Sequence, residues 1–205
     1  APDNMVVFVG RRGTGKTSAM LSFMKALCQN GSDGPWVDDA YTVYEKRDGK
    51  TPVHFLSIDW IDASMLERGE DIFEFILAKM FKEFLDGMEH NSSERLTYEM
   101  RDLHNQFADI YKKYQNLRVK SDSGRYTMET AVSSLRDIAR SVDIRKEFQK
   151  LVRRYIQMKT GGSGDSYRTF LVVAIDDLDM NVESGFEILE TIQRYLKVDR
   201  LLVLL

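Results

Sequence analysis

The sequence predicts an α/β fold: a parallel sheet flanked by helices, with a helical hairpin inserted between the two halves of one site. Three observations carry this expectation. Met5 to Val9 is a short apolar run, as expected of a strand buried on both faces, and it leads through Gly10-Arg11-Arg12-Gly13-Thr14-Gly15-Lys16-Thr17 into an amphipathic helix. Phe170 to Ile175 is a second apolar run, and it ends in Asp176-Asp177-Leu178-Asp179. Between the two, residues 90–160 place apolar side chains at heptad spacing, the mark of long helices with narrow seams.

Ser18 to Gln29 carries Met20, Leu21, Phe23, Met24 and Leu27 at helical spacing, and so reads as the first helix. Asn30 to Pro35 is dense in turn formers, and the polar stretch from Lys46 to Lys50 reads as loop. Val53 to Ile58 reads as the next strand, ending in Asp59-Trp60-Ile61-Asp62. A helix follows from Glu70 to Leu85, with Ile72, Phe73, Ile76, Leu77, Met80, Phe81 and Phe84 on one broad face. Leu96, Met100, Leu103, Phe107, Ile110, Tyr114 and Leu117 hold a 4-3 alternation. A second long helix, from about Met128 to Met158, has Ala131, Leu135, Ile138 and Val142 in one phase and Ile144, Phe148, Leu151, Tyr155 and Met158 in another. The polar link Lys120 to Arg125 would fold these two helices into an antiparallel hairpin. Gly161 to Gly164 returns the chain to the sheet, and a last helix, Glu183 to Leu196, shows Phe186, Leu189, Ile192 and Leu196. The chain opens without Met and closes inside Leu201-Leu202-Val203-Leu204-Leu205, which reads as a strand cut at its tip, and hence as a C-terminally truncated piece of one P-loop domain spanning residues 1–205.

Residues 10–17 fit GxxxxGK(S/T) at every specified position. The spacing suits a triphosphate because glycines let backbone N–H groups close around phosphate oxygens. Lys16 then reaches the β and γ oxygens, the Thr17 hydroxyl ligates Mg²⁺, and the dipole of the helix that opens with Ser18 favours the same anion. The expected nucleotide contacts are Gly10, Arg11, Arg12, Gly13, Thr14, Gly15, Lys16, Thr17 and Ser18; Arg11 and Arg12 are read equally as contacts to phosphate, to a neighbouring subunit or to solvent. An apolar strand ending in acids is the expected partner, since Mg²⁺ bridging phosphates needs a carboxylate to hold its water shell. Asp176 takes that role, Asp177 is the candidate base that activates water, and Asp179 either shares that work or caps the next helix. Asp59 and Asp62 read as cap or turn residues, with approach to the nucleotide or to a subunit interface the alternative. His54, His90 and His104 make no metal-ligand spacing, and Cys28 reads as a small buried apolar residue.

With FVGRRGTGKTSA at Phe8 to Ala19 and FLVVAIDDLDM at Phe170 to Met180, the chain resembles the additional-strand P-loop ATPases of the AAA+, STAND and KAP-like groups. The DDLD ending is most similar to the KAP-like and STAND branch. Asp176 to Leu196 is also similar to ATPases of bacterial antiphage systems, among them the ATPase subunit of the adenosine-deaminase-linked RADAR system. The resemblance covers both motif regions and hardly touches the helical insertion. It implies ATP and Mg²⁺ as cofactors, and a sheet in which the strand Arg200 to Leu205 lies between the strand before the phosphate loop and the strand that ends in Asp176. It also implies a sensor residue and an arginine finger beyond Leu205. KAP members carry membrane helices between the motifs, whereas this chain has polar heptad helices there, so no membrane attachment is expected.

At 205 residues, a net charge of −3 and a pI near 5.7, the chain suits one α/β domain with an insertion and gives no global nucleic-acid signal. With one cysteine and no signal peptide or membrane span, the expected location is the cytoplasm. Charge is nevertheless divided. Asp59 to Glu94 holds ten acids against three bases, and Arg125 to Lys159 four acids against nine bases. The basic helix, with Arg136, Arg140, Arg145, Lys150, Arg153 and Arg154, is either a solvated face or a surface for a neighbouring subunit or nucleic acid. The leading expectation is a Mg²⁺-dependent ATP hydrolase serving as motor or assembly module of a ring-forming, antiphage-type complex with an effector outside this chain. The alternatives are an ATP-gated switch with little turnover and a DNA-engaging ATPase.

Overall fold

A computed structural model describes residues 4–28, 42–44, 53–66, 70–90, 98–118, 128–161, 168–178 and 185–205. In chain order the elements are β1 (Met5–Val6), α1 (Lys16–Cys28), β2 (Thr42–Tyr44), β3 (Val53–Ser57), β4 (Ile61–Asp62), α2 (Ile72–His90), α3 (Tyr98–Arg118), α4 (Met128–Lys159), β5 (Arg168–Asp176), α5 (Gly185–Thr191) and β6 (Leu201–Leu204). A 3₁₀ turn over Ala63–Met65 follows β4, and a π-helical turn over Ile192–Leu196 continues α5.

The strand order is β1-β6-β5-β3-β2, with β4 also pairing β5. All described pairings are parallel except β2 on β3. The last strand, β6, therefore lies between β1 and β5, the order that the resemblance implies. β2 was not read from the sequence, because three residues among turn formers carry no periodicity.

Alternation along β5 divides the core. Leu171, Val173 and Ile175 point into a large cluster shared with α2, α3, α4 and the α5 region, while Val172 and Ala174 face Met20, Leu27 and Cys28 of α1. The cluster over the first face is knit by aromatic contacts: Phe73 sits 4.7 Å from Tyr114, 5.0 Å from Phe148 and 5.1 Å from Tyr195, ring centre to ring centre. α3 and α4 thus pack with α2 and the α5 region over one face of the sheet.

The long helices form where their spacing predicts, and they run antiparallel: Lys113 pairs with Glu147 at 2.6 Å, and Asp102 with Arg154. Leu103, Phe107, Ile110 and Tyr114 are buried against Ile144, Phe148, Leu151 and Tyr155. Leu96 and the side chain of Ala131 lie outside the described residues. α2 opens two residues later than predicted, because the Asp71 carboxylate caps it by accepting from the Phe73 N–H at 2.8 Å.

Three expectations fail. β1 is half-exposed, and Val9 beyond it is 91% exposed, because β1 ends the described strand order and the helices on that face sit over β5 and β6. On α4 the first phase is exposed, Leu135 by 67%, with Ile138 and Val142 beside it. α3 ends at Arg118, and there Ile138 and Ser141 line an open cavity with Tyr114, Leu117 and Arg118 in place of a closed seam. On α5, Phe186 is 77% exposed and Leu189 is exposed too. Ile188, Ile192, Tyr195 and Leu196 are the buried set: their i, i+4, i+7, i+8 spacing is itself a regular helical stripe, and Phe186 and Leu189 lie off it.

Candidate functional site

The glycine-rich loop leaves the sheet at the C-terminal end of β1 and turns into α1 at Lys16. Gly13 and Gly15 have φ of +79° and +82°, the left-handed region where a side chain costs energy. A Cβ on Gly10 would fall 2.6 Å from the Thr14 Oγ1, which donates to the Arg11 carbonyl at 2.7 Å. The Thr14 N–H reaches that carbonyl as well, at 3.2 Å, and Lys16 Nζ folds back to donate to the Gly10 carbonyl at 3.1 Å. The loop is thereby closed on itself by its own small residues and its lysine. Arg11, Arg12 and Ser18 are exposed around it, and Thr17 is half-buried at the head of α1.

The acidic half is placed by register. Met5 pairs with Val203 and Val203 with Val173, so Asp176, three residues on, stands level with Phe8, two residues short of the loop. One strand separates them, about 10 Å between strand axes. Asp176 shares the alternation of Val172 and Ala174, which puts it on the α1 face of the sheet, the face that also carries Lys16 and Thr17. It is 8% exposed. The chain then reverses at Asp177, whose φ of +54° is a left-handed conformation that Asp tolerates better than most residues. Asp179 lies outside the described residues.

The donor set suits a small hard cation. Thr17 supplies a hydroxyl and Asp176 a carboxylate, the lean protein contribution expected for an ion that keeps several waters and takes further oxygens from phosphate. Among the described residues no three His, Cys, Asp or Glu side chains gather as a cage. His54 is buried in β3, where burial lowers its pKa, and the His104 ring lies 5.4 Å from that of Phe81. The side chain of His90 is outside the described set. Burial likewise raises the Cys28 thiol pKa, partly offset by a hydrogen bond with Ser57. Asp62 serves as a cap: its Oδ1 accepts from the Ser64 N–H at 2.9 Å and the Ser64 hydroxyl at 2.6 Å.

Two supports were not read from the sequence. Asn4 Nδ2 donates to the carbonyls of Leu196 at 2.9 Å and Leu201 at 3.0 Å, tying the start of β1 to β6. β3 and β4 are one strand interrupted by a bulge: Ser57 pairs with Val172 and Ile61 with Ile175, so Ile58–Trp60 oppose only Val173 and Ala174.

On α4, Arg140 pairs with Asp137, Arg153 with Asp199 and Arg154 with Asp102, so half of the singled-out bases are engaged within the chain. Arg136, Arg145 and Lys150 are exposed. Among the described residues, no helix is long and apolar enough to cross a membrane. No protein-family model matches this chain, and no curated protein matches it in sequence.

Proposed function

We propose that the chain binds ATP with Mg²⁺ between residues 10–18 and Asp176 and hydrolyses it, as the motor or assembly module of a larger oligomeric complex of the antiphage type. The observation that carries this reading is the placement of Asp176. A buried carboxylate ends a central strand on the face of α1, one strand from a closed Gly-rich loop whose lysine crosses its mouth. In open α/β sheets, ligands sit at this carboxyl edge.

In this reading the backbone of Gly13 to Lys16 cradles the phosphates, and Lys16 exchanges the Gly10 carbonyl for the β and γ oxygens. Thr17 and Asp176 hold the cation, which when bound neutralises charge developing on the phosphates. Asp177 orients water and takes its proton; Asp179 is the other carboxylate for that step. Arg11 and Arg12 extend from the loop toward phosphate or a neighbouring subunit. The test is Mg²⁺-dependent phosphate release by the purified chain and by Lys16→Ala and Asp177→Asn. Loss of release in both variants supports the assignment, and equal release by all three removes it.

A second reading is favoured by one feature. Asp177 is one methylene shorter than the Glu that many such ATPases use, which suits slow turnover. The chain would then be an ATP-gated switch in the cytoplasm, acting on an effector outside it. Unhydrolysed ATP retained in the purified assembly would favour the switch, and retained ADP the motor.

A further inference from the structure

We infer that Glu83 is a positioning residue for Asp176, and that it ties the base of the helical hairpin to the cation-binding end of β5; this rests on the nucleotide reading above. At Ile175 and Asp176, β5 has outrun its other neighbours, since the pairing with β3 ends at Val172 and that with β6 at Ala174. The described strand beside those two residues is β4, which pairs Ile61 with Ile175 and Asp62 with Asp176. A strand end without lateral pairing frays, and a metal-binding carboxylate must be held to within about 0.5 Å.

β4 in turn is set by the bulge before it, and α2 grips that bulge by two side chains one turn apart. Lys79 Nζ donates to the Trp60 carbonyl at 3.0 Å, and Glu83 Oε1 accepts from the Asp59 N–H at a long 3.4 Å. The other oxygen of Glu83 faces α4, accepting from the Tyr155 hydroxyl at 2.7 Å and from Lys159 Nζ at 3.2 Å. Lys159 also lies 5.7 Å from the centre of the Tyr155 ring. Tyr155 is fully buried, and the side chains of Glu83 and Lys159 are less than one-fifth exposed, so this ion pair is little screened by water. A contiguous path therefore runs from the last turns of α4 through Glu83 to the bulge, then through β4 to the strand end that carries Asp176.

The experiment measures binding of a fluorescent ATP analogue to the full chain, with and without Mg²⁺, for wild type, Tyr155→Phe, Glu83→Gln and Lys79→Met. Lys79→Met acts on the bulge from the partly buried flank of α2, and keeps the test valid if changes at Glu83 impair folding. The expected result is unchanged affinity without Mg²⁺ and a Mg²⁺ midpoint raised about tenfold, the lower end of what outer-shell changes cost in metal affinity. A lowered melting temperature with an unchanged Mg²⁺ midpoint would make the network mere packing and overturn the inference. So would equal weakening with and without Mg²⁺. Failure of the wild-type chain to bind MgATP at all would instead remove the nucleotide reading on which the inference stands.

Discussion

Gly10 is the residue at which conformation and chemistry are hardest to separate. Its missing Cβ makes room for the Thr14 hydroxyl, and its carbonyl receives the lysine. Gly10→Ala should abolish ATP binding, and Gly10→Ala combined with Thr14→Ala, which removes the obstructing oxygen, should recover part of it in the same titration. Asp176→Asn should weaken Mg²⁺-dependent binding while leaving the Mg²⁺-free component, since the amide keeps the shape of the carboxylate and loses its charge. His54 gives a prediction in pH. Burial lowers its folded-state pKa, so the unfolded chain takes up the proton first as pH falls below the ordinary value of 6.5. Its contribution is neutral above that value, and stability is lost progressively below it; His54→Phe should flatten the fall in melting temperature between pH 7 and the folded-state pKa. The positions of the glycine-rich loop before α1 and of Asp176 and Asp177 at the end of β5 were legible in sequence, because they depend on spacing along the chain. Glu83 and Asn4 were not, because each acts on backbone groups far away in sequence.

Among the elements, α5 departs furthest from its sequence pattern. Phe186 and Leu189 face solvent while Ile188 and Ile192 are buried, so Phe186→Ser should change stability by less than about 0.5 kcal/mol, and Ile188→Ala should cost about 2–4 kcal/mol in denaturant titration. The reverse order would mean that the face carrying Phe186 and Leu189 is the one packed on the core. α4 shows the opposite case. Its inner phase, Ile144 to Tyr155, reads correctly because α3 lies along it, whereas Leu135 and Ile138 read as seam residues and are exposed, Ile138 on an open cavity at the last turn of α3. A heptad pattern specifies that a helix has an apolar stripe and leaves open how far the partner helix extends along it. β4 shows the same limit in the sheet, where two residues acquire their role only from the bulge that realigns them with Ile175 and Asp176.

At the scale of the molecule, the hairpin belongs to the core, since Leu103, Phe107, Ile110, Ile144, Phe148 and Leu151 share one cluster with Leu171, Val173 and Ile175 of β5. Replacing residues 98–159 by a short linker should therefore yield a chain without a cooperative unfolding transition. Retention of a sharp transition in that deletion would show an independent insertion instead. The sequence by itself determined the class of the fold, the glycine-rich loop with its lysine, the acidic strand end and the two long helices. Each of these depends on contacts or periodicities within some thirty residues. Only the tertiary structure decided that α3 and α4 form part of one layer of the domain, that Asp176 turns toward α1, and that α2 and α4 together hold the strand beside it. Those outcomes depend on strand order and register, which bring residues into contact through hydrogen bonds and burial that no local pattern encodes.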